Sequence, residues 1–460
     1  MAHRSRDFLM VGSVAVLALA AACSADNTVV SGGNEGGAGN GPDTTETGGT
    51  GGGGAADAKT ERSDVPFDAA TDLTDDEYAR FLGNLADFGF DIFGSIAEPN
   101  DNTVFSPLSV GVALGMVYAG ARGDTATQMA TAMHHDLDPE RLHVGYNQVT
   151  LDMQSWNVAP EPRDEDQRSL LVSLANSTWV QDGYPVVPSY LDLLSARYDS
   201  ALWLVDFMGA PEAARQSINT WVADETQQRI QDLIPPGAIT PITRLVLANA
   251  LYFKANWASD FSSDATDEGT FSTLSGSSVS AQMMHKTTNL AYADGNGYVA
   301  VELPFVDSHV KMTLVLPDEG SFDTVRDAFS SEWLATLDAQ ITSERVALAL
   351  PKFEFTWGTE SLTPVLQALG IEDAFLVSVA DFSGIEPTRE LFISDVVHQA
   401  FIAVDEEGAE AAAATAVVMD GSGMPVEPPT PIPVTLDRPF FFLIRSPAGH
   451  LLFVGQVMEP

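Results

Sequence analysis

The chain has 460 residues, of which 45% are hydrophobic, and it carries 64 acidic against 22 basic residues. This length suits one large domain with appendages, and no apolar run after the N-terminus is long enough for an integral membrane protein. The formal net charge of -42 argues against nucleic-acid partners and against heparin-like polyanions, because both require a basic surface.

The N-terminus has the pattern of an export signal. Two arginines precede an apolar run from Phe8 to Ala22, and Cys23 follows, which predicts a signal peptide over residues 1–22. Cys23 is the only cysteine, so an intrachain disulfide is excluded. The run Leu19-Ala20-Ala21-Ala22-Cys23 is similar to a bacterial lipobox, although Ala20 stands where Leu is usual. We expect lipidation of Cys23 rather than a buried structural role.

Residues 23–66 have the composition of a flexible tether, since they are rich in Gly, Ser, Thr, Asn and Asp and include the run Gly51–Gly54. A lipid-anchored tether would let the folded domain, expected over residues 67–460, sample space around the cell envelope. We therefore expect an exported protein, either an envelope lipoprotein or extracellular, that contacts a membrane only through its lipid anchor.

Regular structure is expected to begin near Leu73. Thr74 and Glu77 have the spacing of a helix-capping box, and apolar residues recur after them at helical intervals. A second helix is predicted from Val110 to Ala119, and it must be buried because almost every residue in it is apolar. A third helical segment surrounds Ile218–Val222.

Several stretches have the alternation and the β-branched or aromatic residues of strands. They mix with the helices without regular alternation, which indicates an α+β fold. The predicted strands are Leu171–Gln181, Arg244–Trp257, Val299–Phe305, Met312–Pro317, Val346–Phe355, Val434–Ile444 and Leu451–Gly455.

Residues 405–418 read Asp-Glu-Glu-Gly-Ala-Glu-Ala-Ala-Ala-Ala-Thr-Ala-Val-Val. The local pattern alone favours a surface helix, because alanine has the highest helix propensity. In an extended conformation, however, Ala409, Ala411 and Ala413 would share one face, and Glu410 would lie on the other. The small, apolar face could then be buried between strands without placing a charge in the core.

The second interpretation is favoured because these residues resemble the serpin family. The resemblance covers roughly Leu73–Pro460, with its motifs in the family's order and approximate spacing. It rests on the Glu-Glu-Gly-x-Glu hinge at 406–410, Phe105-Ser106-Pro107-x-Ser109, Gly120-Ala121-x-Gly123-x-Thr125, the Ala-Asn pairs ending at Asn176 and Asn249, and Asp437-Arg438-Pro439-Phe440.

The resemblance implies three β-sheets, about eight or nine helices, an exposed reactive-centre loop at about 406–433 and a metastable native state. It also implies a monomeric, irreversible suicide-substrate inhibitor of serine endopeptidases, with cysteine endopeptidases as a further option. A target protease cleaves the loop, which then inserts into the central sheet while still acylated to the protease. The alternative is a non-inhibitory serpin that acts as an extracellular carrier or surface scaffold.

An enzyme is disfavoured, because the sequence lacks the familiar hydrolase, phosphate-binding and dinucleotide motifs. The run His134-His135-Asp136 is more typical of a solvent-facing segment than of a metal site. No cofactor and no metal are expected.

The resemblance assigns roles to two groups of residues. Gly408 would permit a sharp reversal at the root of the loop, and Ala409 would be the first side chain to enter the sheet. Trp257 would lie beneath that entry point, where Lys352 would pair with Glu406. The hinge comprises Glu406, Glu407, Gly408, Ala409, Glu410, Ala411, Ala412, Ala413, Ala414 and Thr415, and a cluster under the opening comprises Ser106, Ser109, Asn249 and His398.

The usual loop length places the reactive bond between Ser422 and Gly423. The segment from Gly423 to Leu436 is about six residues longer than the common form, so Met419 and Met424 are alternatives. Small and medium apolar residues suit elastase-like or subtilisin-like proteases. Trypsin-like targets are disfavoured because residues 406–433 contain no Lys or Arg.

Overall fold

The computed structural model describes residues 58–157, 169–409 and 429–460. The sequence predictions for the signal peptide, Cys23, hinge residues 410–415 and the bonds at Met419, Ser422, Gly423 and Met424 lie outside the described residues. The helices are α1 (Asp75–Ile96), α2 (Pro107–Tyr118), α3 (Gly123–Ala132), α4 (Pro139–Trp156), α5 (Pro188–Tyr198), α6 (Pro211–Glu225), α7 (Phe322–Asp327), α8 (Ser331–Gln340) and α9 (Thr363–Ala368).

The strands alternate irregularly with these helices. They are β1 (Lys59–Glu61), β2 (Thr103–Phe105), β3 (Leu170–Gln181), β4 (Leu202–Val205), β5 (Leu245–Asn256), β6 (Asp267–Ser272), β7 (Ser278–Gly295), β8 (Tyr298–Pro304), β9 (Lys311–Pro317), β10 (Thr342–Pro351), β11 (Phe353–Ser361), β12 (Ile393–Val404), β13 (Gly408–Ala409), β14 (Ile432–Thr435), β15 (Phe440–Arg445) and β16 (Leu451–Val457).

The described strands form two hydrogen-bonded sheets. One has seven strands in the order β1-β4-β3-β5-β13-β12-β11, and the other has nine, in the order β14-β10-β7-β8-β9-β15-β16-β2 with β6 paired to β7. The expectation of three sheets differs from this count because β7 is 18 residues long. It pairs with β6, β10 and β8 along its length and joins two layers into one sheet.

The first two helices form as the sequence predicts. Thr74 caps α1: its Oγ1 accepts a hydrogen bond from the Glu77 amide at 3.2 Å, and the Glu77 carboxylate accepts one from the Thr74 amide at 3.0 Å. Helix α2 is buried on every side, from Pro107 to Val117, and it packs on β3 and β5 of one sheet and on β16 of the other. This helix therefore fixes the two sheets relative to each other.

The folded domain begins earlier than predicted. The tether was expected to reach Pro66, but β1 pairs with β4 at the edge of the seven-stranded sheet. The chain then follows α5, where the Ser195 hydroxyl donates to the carbonyls of Ser63 and Val65. Composition missed this segment because its strand pairing uses the backbone, which any sequence supplies, and because the side-chain partners of Lys59, Arg62 and Ser63 are distant in sequence.

Two predicted strands are each divided in the structure. The stretch Val346–Phe355 forms β10 and β11, which belong to different sheets, with Lys352 at the crossing. The stretch Val434–Ile444 forms β14 and β15, separated by the segment that contains Pro439. Strand β14 starts at Ile432, two residues before the start predicted for this strand at Val434.

Among the described residues, no helix is both long and apolar enough to pass through a membrane.

Candidate functional site at the parting of the seven-stranded sheet

Strands β5 and β12 lie parallel and then separate. They pair from Leu245 and Ile393 as far as Ala250 and Gln399. Beyond that level β13 lies between them and runs antiparallel to both, with Ala409 opposite Ala255 on one side and Val404 on the other. The sheet is thus parted at one end, and Gly408 and Ala409 of the hinge already occupy the parting as a short strand.

Asp405 holds the reversal that leads from β12 into β13. Its Oδ1 accepts hydrogen bonds from the amides of Glu407 at 2.9 Å and Gly408 at 3.2 Å, and its own amide donates to the Gly408 carbonyl at 3.0 Å. Burial raises the pKa of this carboxyl, and the two amides act in the opposite direction. Sequence reasoning missed Asp405, although an Asp before a glycine turn is a recognisable signal.

Gly408 is required for a reason other than the one predicted. Its φ does not lie in the left-handed region, so the expected conformational freedom is not used. A Cβ at this position would lie 2.0 Å from the Ala255 carbonyl oxygen on β5, and only glycine allows that approach. The next residue, Ala409, is 2% exposed, so its methyl group is buried in the sheet.

Trp257 lies beneath the reversal, where the resemblance assigned it. Its indole Nε1 donates to the Asp405 carbonyl at 3.0 Å, and its amide donates to the Glu407 carbonyl at 2.8 Å. The ring stacks on Phe305 with centroids 4.6 Å apart. The Phe261 amide donates to the Glu406 carbonyl at 2.8 Å, so the three successive carbonyls of residues 405–407 accept hydrogen bonds from one segment.

Lys352 and Glu406 form the expected ion pair, with Nζ and Oε2 2.6 Å apart. The other carboxylate oxygen of Glu406 accepts the Thr266 hydroxyl at 2.8 Å. Burial alone would raise the pKa of Glu406, but these hydrogen bonds outweigh burial and lower it. The pair lies where the chain crosses from β10 to β11, and it ties the hinge to both sheets.

Below the parting, His398 links β12 to β5 and α2. Its Nδ1 is 2.5 Å from Asn249 Oδ1, and its Nε2 is 3.3 Å from the Ser106 amide. Burial lowers the pKa of His398 to about 3, so the ring is neutral at physiological pH. An amide can only donate, so Nε2 is the acceptor, and Nδ1 carries the proton that Asn249 accepts.

Asn249 extends the hydrogen-bond network to two further side chains. Its Nδ2 donates to Ser109 Oγ at 2.6 Å and also to Asn176 Oδ1. Ser106 caps α2 by accepting the Ser109 amide at 3.2 Å. Asn176 closes the network by donating to the Ser109 carbonyl at 3.2 Å. We call Ser106, Ser109, Asn176, Asn249 and His398 the opening cluster.

Asn176 was named in a sequence motif but was not predicted to belong to the cluster. It lies on β3 directly opposite Asn249 on β5, and each of these residues follows an alanine. The repeated Ala-Asn pair in two predicted strands was therefore the available signal. The structure brings the four predicted cluster residues together, whereas Trp257 and Lys352 belong to the hinge, at the other end of the parting.

The adjacent histidines do not form a joint site. His134 Nε2 lies 2.7 Å from Asp91 Oδ2 near the surface, and His135 Nε2 lies 3.1 Å from the Tyr146 hydroxyl.

Comparison with known proteins gives a consistent result. The family model described as serpin (serine protease inhibitor) matches residues 83–460. An uncharacterized serpin-like protein of Thermococcus kodakarensis is 37% identical over 374 residues, which cover 81% of this chain and 84% of that protein. The leukocyte elastase inhibitor of Homo sapiens is 32% identical over 397 residues, covering 81% of this chain and 97% of the inhibitor.

The architecture is also similar to a solved structure, that of the thermophilic serpin tengpin in its native state. The TM-score is 0.77 at 26% sequence identity, with 88% of this chain and 100% of tengpin covered. The similarity confirms the expected α+β fold.

Proposed function

The chain belongs to the serpin family, and from that premise we propose that it is an irreversible suicide-substrate inhibitor of serine endopeptidases, with cysteine endopeptidases as a second class to test. One observation carries the proposal: β13 enters between β5 and β12, antiparallel to both, at the level where those strands separate. A continuing strand would find unpaired backbone on both sides.

The register of β13 defines how an inserted loop would lie. If the pairing continues, Ala414 would lie between Ala250 and Gln399, the last pair that now joins β5 to β12. Thr415 would then separate Asn249 from His398. Residues up to Ala413 would fill the existing parting, whereas insertion beyond it must break the opening cluster.

The same register supports a cleavage point near the predicted one. Met419 would lie level with Leu245 and Ile393, where β5 and β12 begin. Ser422 would lie three residues beyond that limit, so a bond at Ser422–Gly423 lets the inserted strand span the sheet. Met424 would leave a longer overhang.

Insertion has a sufficient driving force. Each new ladder hydrogen bond contributes on the order of 1 kcal/mol, and burial of Val417, Met419 and the alanine methyl groups adds roughly 25 cal/mol per Å² of apolar surface. On insertion, about a dozen residues would each gain at most one or two hydrogen bonds of that size. The inserted form would therefore be more stable than the uncleaved form, which is a kinetic trap that stores strain.

The target class follows from the loop's chemistry. Residues 406–433 offer alanine, serine, valine and methionine and no basic side chain, which suits elastase-like or subtilisin-like specificity pockets. The similarity to the leukocyte elastase inhibitor supports the elastase-like choice. We further propose that the protein is an exported monomer, anchored through lipidated Cys23 at the envelope.

The test is a trapping assay. Incubation with elastase-like, subtilisin-like and papain-like proteases is expected to yield an SDS-resistant adduct with at least one of them. Sequencing the released peptide then identifies the cleaved bond. Cleavage without adduct formation across the whole panel would instead support the non-inhibitory carrier or scaffold.

A further inference from the structure

A cavity of about 390 Å³ opens at the edge of the seven-stranded sheet, away from the hinge. It lies beside β3, where β4 begins. Strand β4 pairs with β3 only from Thr178 onward. The C-terminal ends of α4 and α6 form two of its walls, with Asn157 on one and Trp221 on the other. This volume is within the range of small-molecule sites, about 300 to 1,000 Å³.

Aromatic rings form a large part of the lining. Trp203 and Trp221 face the cavity with centroids 6.1 Å apart. Trp203 is held from behind, because it stacks at 4.8 Å on the buried Trp179. Tyr198 also lines the cavity, and its hydroxyl is fixed by His143 Nδ1 at 2.7 Å. The rings are therefore preorganised.

The charged side chains in the described lining of the cavity are acidic. Glu225, the last residue of α6, lines it and forms no ion pair within the part of the chain described. It also lies at a helix C-terminus, where the macrodipole adds partial negative charge. Its carboxyl remains in contact with solvent, yet burial of the group raises its pKa, and the neighbouring Asp224 carboxylate adds to the increase. A ligand cation would relieve this repulsion.

The lining excludes other ligand classes. Among the described residues it contains no Lys, Arg or His, so an anion would have no charged partner there. Its second carboxylate, Asp199, is already bound by Arg62, and among the described residues no group of three or more His, Cys, Asp or Glu is placed to hold a metal ion. An organic cation with apolar substituents, by contrast, is attracted to the faces of tryptophan and tyrosine rings.

We propose that this cavity binds a compact organic cation, a protonated or quaternary amine with apolar substituents. The ammonium group lies against the cavity side of Trp203 and Trp221, which contact each other, with Glu225 as its counter-ion, and the substituents fill the apolar remainder.

Asn176 gives the site a connection to the opening cluster. Its side chain lines the cavity and also bonds Asn249 and Ser109. Helix α6, which supplies Trp221 and Glu225, packs on β3 and β5. A bound cation would therefore stabilise the unopened sheet. This consequence rests on the proposed inhibitory function, whereas the binding itself does not.

The experiment compares choline with its neutral carbon isostere, 3,3-dimethylbutan-1-ol, on the intact protein. Binding is followed by titration calorimetry and by tryptophan fluorescence. Choline is expected to bind at least ~10-fold more tightly, because only the cation gains from the rings and the carboxylate. Equal affinity for both molecules, or no binding of choline, would overturn the proposal.

Variants locate the site. Glu225→Gln should weaken choline binding by ~10-fold while leaving the isostere unchanged, and Trp221→Leu should weaken it further. Asp224→Asn is the matched control, since Asp224 is the adjacent carboxylate and does not line the cavity. An unchanged choline affinity in Glu225→Gln would place the cation elsewhere. This variant stays informative if Trp221→Leu does not fold.

The effect of cation binding on loop insertion is measured separately, as the rate at which the protein traps a protease. Saturating choline should slow trapping by a protease that forms an adduct, and it should not do so in the Glu225→Gln variant at the same concentration. Unchanged trapping with binding intact would remove the coupling and keep the site. Absence of any adduct would reject the proposed function without affecting the binding result.

Discussion

The two ends of the contact between β5 and β12 are held in different ways. At the hinge end, backbone bonds from β13 and the reversal at Asp405 span the gap, together with the Lys352–Glu406 pair, whose lysine side chain is 39% exposed. At the other end, the opening cluster is formed by buried side chains, with Ser106, Ser109, Asn249 and His398 all fully buried.

The difference indicates where resistance to insertion lies. The hinge end is already parted, so the first loop residues can enter without breaking strand pairs. The cluster end must give up a network whose members are fully buried except for the half-buried Asn176, in a low-dielectric interior where an unpaired polar group is costly. The hinge therefore governs the start of insertion, and the opening cluster governs its completion.

Cleavage of the loop should change the stability of the protein more than any of the substitutions below. A nick near Ser422 is expected to raise the unfolding temperature by tens of degrees, because about a dozen residues gain strand pairs on both sides. Differential scanning calorimetry of the nicked and intact protein measures the shift. Equal unfolding temperatures would mean that the gap between β5 and β12 does not accept the loop.

Charge on the inward face should block insertion at the hinge end. Ala411→Glu is expected to turn inhibitor into substrate and to reduce the SDS-resistant adduct ~100-fold, since an unpaired carboxylate would be buried. Ala413→Arg should act in the same way.

Ala412→Glu is the matched control, because residue 412 shares its face with Glu410. Full trapping by Ala411→Glu, or loss of trapping by the control alone, would reverse the assignment of the two faces.

Acid should weaken the cluster end. The pKa of His398 is about 3 in the fold, against about 6.5 for a solvated histidine, so the unfolded chain binds a proton that the native state does not bind. Stability from this residue is complete above pH 6.5 and falls as the pH drops toward 3. His398→Gln should remove up to about 1.4 kcal/mol per pH unit from that slope, as measured by denaturant unfolding between pH 4 and 8.

His143 serves as the control for that measurement. Burial lowers its pKa to about 4, so His143→Gln should remove a similar slope without touching the opening cluster. Only His398→Gln should also change the trapping rate. If both variants trapped protease at the wild-type rate, the cluster would not control completion of insertion.

Loss of the hinge ion pair should have the smallest effect. Lys352→Met is expected to lower stability by less than about 1 kcal/mol, because the lysine side chain is 39% exposed, where ion pairs are weak and screened by salt, and Glu406 keeps its hydrogen bond from Thr266. Thermal unfolding at low and high salt measures this change. Thr266→Val is the control, because it removes an uncharged hydrogen-bond partner of the same carboxylate and should show no dependence on salt. An effect of several kcal/mol would make the hinge end as strongly held as the cluster.

Much of the fold was accessible from the sequence where local physics decides the outcome. The capping box at Thr74 and the apolar helix leading from Ser106 required only neighbouring residues. The strand ending at Gln181 was found to within one residue, since its alternation is strong. Sheet membership was not accessible, because β10 and β11 read as one stretch although tertiary pairing divides them.

The site was accessible in part for the same reason. Ser109 and His398 were selected through the resemblance, but their partner Asn176 required the register between β3 and β5. Gly408 was selected correctly and explained incorrectly, since its need for a bare Cα arises from the Ala255 carbonyl, which is distant in sequence. Close approaches of this kind follow from packing and leave no local pattern.

The short strand at Lys59–Glu61 carries a practical consequence. A shortened protein that begins at Leu73, where helical periodicity starts, would leave the outer backbone of β4 without its neighbour and Ser195 without its acceptors. An unprotected sheet edge invites pairing with other molecules. Such a truncated form should self-associate on concentration, whereas one that starts before Ala58 should remain dispersed.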